Sequence, residues 1–62
     1  MKEYVEFESA VIKFVKRGLM EQSEAIDKCT GYLYAMVDFG ILSECRLSDE
    51  ITTTVRKILE IK

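Results

Sequence analysis

The chain has 62 residues, 48% hydrophobic and 32% charged, with nine basic against eleven acidic side chains and a formal net charge of −2. That length allows a single domain, 1–62, and the mild negative charge supplies no general attraction to nucleic acid or to an anionic membrane. Two cysteines in a chain without histidine exclude a four-ligand structural zinc site and the common cysteine–histidine catalysts.

A chain this short buries only about 60% of the surface its unfolded form exposes. Small domains therefore add a disulfide, a metal or a second subunit. Cys29 and Cys45 carry no CxxC spacing and are expected to be free thiols acting as small apolar groups, which suits a cytoplasmic protein. Self-association is the device that remains. The first residues, MKEYVEFE, are charged and lack the apolar centre of a signal peptide. The longest sparsely charged stretch, Cys29 to Ser43, contains Asp38 and falls short of the about 20 apolar residues a membrane span needs.

The first predicted helix covers about 2–17. Tyr4, Phe7, Val11 and Phe14 recur at spacings of three and four, and Val5, Ile12, Val15 and Leu19 form a second stripe beside them. Together they cover roughly 200° of arc, against about 100° for an ordinary surface helix. Lys16 and Arg17 in the last turn suit the helix dipole. Gly18 suits the left-handed residue after a helix end, from which Leu19 can fold back towards Phe14.

The second helix covers about 23–39, with Ser23 as its expected cap and Glu24 and Asp27 in its first turn. Ala25, Ile26, Cys29, Tyr32, Leu33, Met36, Val37 and Phe39 form another wide apolar arc, so this is the expected central helix. Gly40 ends it, and the connection runs over about 41–47. The third helix covers about 48–61. Ser48 caps it, Asp49 and Glu50 meet its positive end, and Ile51, Val55, Ile58 and Leu59 make a narrower stripe. Thr52, Thr53 and Thr54 lower its helix propensity, and a strand over Ile51–Val55 is the alternative there.

Few residues carry chemistry. Cys29 lies on the apolar arc, where a thiol is inert. Glu21, Glu24 and Asp27 recur at intervals of three, but they complement the dipole, and Glu24 with Lys28 makes a favourable i,i+4 pair. Glu8 projects onto the broad apolar side of the first helix and is expected to reach solvent at its edge. The other readings are a polar gap between two apolar faces, or a pairing with a basic residue across an interface. Tyr34 points away from the main arc of the second helix and is the leading candidate for a residue left to a partner.

The expected fold is all-α, a small three-helix bundle completed by homodimerisation, with the first two helices supplying most of the shared core. Tyr4, Phe7, Val11, Phe14, Leu19, Tyr34, Val37 and Ile41 are the expected interface residues. The expected function is that of a non-enzymatic protein–protein interaction module without cofactor or metal, a regulator or inhibitor that also docks on a larger protein. The alternative is a helix-turn-helix-like DNA-binding regulator presenting Thr52, Thr53, Arg56 and Lys57. Against it, Asp49 and Glu50 stand where such a helix approaches phosphates, and the connection before it is long.

Overall fold

The structure, a computed structural model, describes residues 1–61. It contains α1 (Lys2–Lys16), α2 (Gln22–Asp38) and α3 (Glu44–Leu59), and no strand among the described residues. The all-α three-helix fold that the periodicity predicts is the fold observed. Ile51–Val55 is helical despite its threonines. The Thr53 hydroxyl donates back to the Asp49 carbonyl at 2.9 Å, and Thr54 is buried, so packing overrides the weak local propensity.

The first two helices stop for the reason their glycines suggest. Gly18 and Gly40 each adopt φ +75°. After α1, the amides of Gly18 and Leu19 donate to the carbonyls of Val15 and Phe14 at 3.0 and 2.9 Å. After α2, those of Gly40 and Ile41 donate to Val37 and Met36 at 3.0 and 2.8 Å. Both ends are Schellman motifs, which satisfy carbonyls that the helix leaves free. Gly18→Ala should therefore cost about 1–2 kcal/mol, the penalty of a side chain in the left-handed region. Gly31, mid-helix, has nothing within 4 Å of an added Cβ, and Gly31→Ala should stabilise by about 0.5–1 kcal/mol. Urea midpoints moving in opposite directions would check both.

The helix starts differ from expectation. α2 is capped by Glu21 in extended conformation, and Ser23 lies inside its first turn. α3 begins at Glu44 after Ser43, a full turn before Ser48, so Cys45, Arg46 and Leu47 are helical. The connection is short because Leu42 turns inward and is buried directly after the Gly40 reversal. Leu47 then sits one turn before Ile51, half-buried against the core, rather than in a loop.

Ala25, Cys29, Leu33 and Met36 form one buried face of α2. Tyr4 and Val11 of α1, Ile58 of α3 and Leu42 close over it. α2 packs against both neighbours, as its wide apolar arc predicts. The far end of α3 is tied to the start of α2, where the Gln22 side-chain amide donates to the carbonyls of Ile58 and Ile61 at 3.0 and 3.1 Å. The molecule is long and narrow, 33 × 18 × 16 Å.

Candidate interaction surface

The ionisable groups inside the molecule are already engaged. Glu8 is 5% exposed. One of its carboxylate oxygens accepts the Thr54 hydroxyl at 2.6 Å and faces the Tyr4 hydroxyl at 3.4 Å. The other accepts Lys57 Nζ at 3.0 Å. Tyr4 and Thr54 are also hydrogen-bonded to each other. Glu8 thus neither reaches solvent nor needs an interface, because Thr54 and Lys57, one turn apart on α3, close over it within the chain. No buried side-chain polar atom among the described residues lacks a partner. The group clasps α1 to α3.

The cluster also shapes its neighbours. Burial, above all, raises the Tyr4 hydroxyl above its ordinary value, and nearby Cys29 and Glu8 push it the same way. Burial and then Glu8 raise the Cys29 thiol. Both groups stay protonated at neutral pH, and a protonated buried thiol is a poor nucleophile. Cys29 is buried and Cys45 exposed, and both are free.

The eight residues that the sequence assigns to an interface fall into three groups. Tyr4 and Val11 are buried within the chain's own core. They leave no surface for a partner, because α2 and α3 cover the inward stripe of α1. Phe7 and Val37 are half-buried, Phe7 with its ring 4.7 Å from that of Tyr32. Phe14, Leu19, Tyr34 and Ile41 are exposed. The exposed four do not form one patch. Phe14 and Leu19 lie at the α1–α2 turn, and Ile41 follows α2 at the opposite end. Tyr34 borders a shallow depression shared with Leu47 and Ile51 of α3.

The Ile41 end holds the most apolar concavity. A groove of about 310 Å³ runs between Glu3 and Tyr4 of α1 and Tyr32, Ala35 and Met36 of α2, with Phe39 and Ile41 at its lip. Phe39 is 80% exposed, the most exposed large apolar side chain described. It was missing from the expected interface because its spacing from Tyr32 and Met36 places it on the apolar arc. Its position as the residue that ends α2 is the signal that it projects past the core. An apolar groove with one carboxylate at its edge can seat apolar side chains. It holds no acid–base pair.

The outward basic residues of α3 are partly occupied. Lys57 is bound to Glu8, and Arg46 lies 3.8 Å from Glu50. The expected Glu24–Lys28 pair is present at 4.0 Å. Among the described residues no three metal-ligating side chains cluster, and no helix is long and apolar enough to cross a membrane. Set against models of known protein families, curated proteins and solved structures, the chain matches none of them.

Proposed function

We propose that this protein is a non-enzymatic protein–protein interaction module, a small regulator or inhibitor that acts through apolar helical faces as a homodimer and docks on a larger protein. The observation that carries this reading is the set of large apolar side chains left outside a complete core: Phe14 at 45%, Leu19 at 70%, Ile41 at 64% and Phe39 at 80% exposure. Full burial of such a side chain yields about 1.5–3 kcal/mol, and the part still exposed on each is the part of that gain a partner supplies. The surface area of 4412 Å² is also slightly above the about 4,100 Å² expected of a compact monomer of this mass.

Other features support the same reading. Glu8, Tyr4 and Cys29 serve the interior rather than a reaction, and the two free thiols suit a reducing, cytoplasmic setting. Lys57, one of the two bases that a DNA-reading α3 would present, is held by the buried Glu8, which favours a protein partner over a DNA backbone. Light scattering across a concentration series tests the homodimer. A mass of twice the chain is expected, and a monomer at the highest soluble concentration would overturn it.

A further inference from the structure

α1 carries a face that neither α2 nor α3 covers. With Tyr4 as the inward reference and about 100° per residue, Glu3, Phe7, Ala10, Phe14 and Arg17 fall in one stripe roughly 80° wide, turned about 100° from the core. Phe7 is half-buried against Tyr32, which sets the inner edge of the stripe beside α2. Glu3, Ala10, Phe14 and Arg17 are exposed. Glu6 and Lys13, also exposed, flank the stripe on its outer side.

The spacing of four, three, four and three is that of a helix-pairing seam. The stripe is also symmetric about Ala10. A phenylalanine stands on either side of the alanine, acids lie towards the start and bases towards the end. Turned end for end about Ala10, Glu3 meets Arg17, and Phe7 and Phe14, and Glu6 and Lys13, come within one residue of each other.

We propose that α1 pairs antiparallel with α1 of a second copy of this chain about a two-fold axis at Ala10. Glu3 then faces Arg17 of the second copy, while Phe7 and Glu6 lie one residue from direct register with its Phe14 and Lys13, within reach of their side chains. The inference rests on the homodimer reading and specifies its geometry. The small side chain at the axis lets the helices approach, since interaxial distance follows the size of the residues at the crossing. A two-fold contact of this kind closes on itself and stops at two chains. Parallel pairing is rejected by the same charges, because it sets Glu3 on Glu3 and Arg17 on Arg17. A stable interface takes about 800 Å² from each partner, roughly a fifth of the 4412 Å² exposed here. The Tyr32–Phe39 edge of α2 borders the stripe and extends it.

Acids early and bases late in a helix also complement its dipole. That role is confined to one chain, so mixing separates the two. Glu3→Lys with Glu6→Lys makes the α1 face wholly basic, and Lys13→Glu with Arg17→Glu makes it wholly acidic. Each double variant, checked for helix content by circular dichroism, should dimerise at least tenfold more weakly than the parent at low salt. An equimolar mixture should recover the dimer as a heterodimer. Ala10→Glu, at an exposed position, should remain folded and be monomeric. Double variants that keep the parental dimer mass, a mixture that stays monomeric, or a dimeric Ala10→Glu chain would each overturn the α1 pairing alone. A parental chain that is monomeric throughout would overturn the homodimer reading as well.

Discussion

Leu33→Ala is expected to cost about 2–5 kcal/mol, the range for removing a fully buried leucine side chain and leaving the space unfilled. Leu33 is 0% exposed at the middle of α2, the helix against which both others pack. In a chain of this size each kcal/mol moves the melting temperature by roughly 4–8 °C, so the variant should be largely destabilised at physiological temperature. Its neighbour provides the control. Tyr34 is 54% exposed, and Tyr34→Ala should stay within about 0.5 kcal/mol. Urea titrations compare the two, at one fixed protein concentration because association would add to apparent stability. Equal losses at both positions would mean that α2 is rotated from the orientation described.

The second large effect concerns the Glu8 clasp. Glu8→Leu keeps much of the volume but removes the acceptor of the Thr54 hydroxyl. Tyr4 and Thr54 then keep only their bond to each other, and one buried hydroxyl proton is left without an acceptor, at a cost of about 1–3 kcal/mol. Lys57→Met should cost at least as much as Glu8→Leu, because it leaves the buried Glu8 carboxylate, whose side chain is 6% exposed, without its cation. The diagnostic variant replaces the whole cluster. Tyr4→Phe, Glu8→Leu and Thr54→Val together leave no orphaned polar group and should recover most of the single-variant loss. A triple variant as unstable as the sum of its parts would show that each hydrogen bond contributes independently of the others.

These expectations use two kinds of information. Helix number and approximate extent follow from the sequence, because apolar spacing of three and four is a property of neighbours along the chain. The ends of α1 and α2 are equally local, since only glycine takes the left-handed position readily, and Gly18 and Gly40 both stand where the apolar pattern stops. The start of α3 lies one turn before the expected cap, Ser48, because it depends on Leu42. Only the packing of that residue under α2 shows how soon the chain can become helical again.

Glu8 marks the limit more sharply. Its place on an apolar stripe signalled a buried charge in need of a partner. Thr54 and Lys57 lie 46 and 49 residues away, and nothing local connects them to it. The expected interface divides for the same reason. A wide apolar arc shows how much surface a helix must cover, but not which part its own neighbours cover. By itself the sequence determined three helices, a central α2 and more apolar surface than one small chain conceals. The tertiary structure alone decided that Tyr4 and Val11 turn inward, that Phe39 and Ile41 stay outside, and that the charge of Glu8 is met within the chain. Periodicity is written between adjacent turns, whereas burial is settled by which helix faces meet.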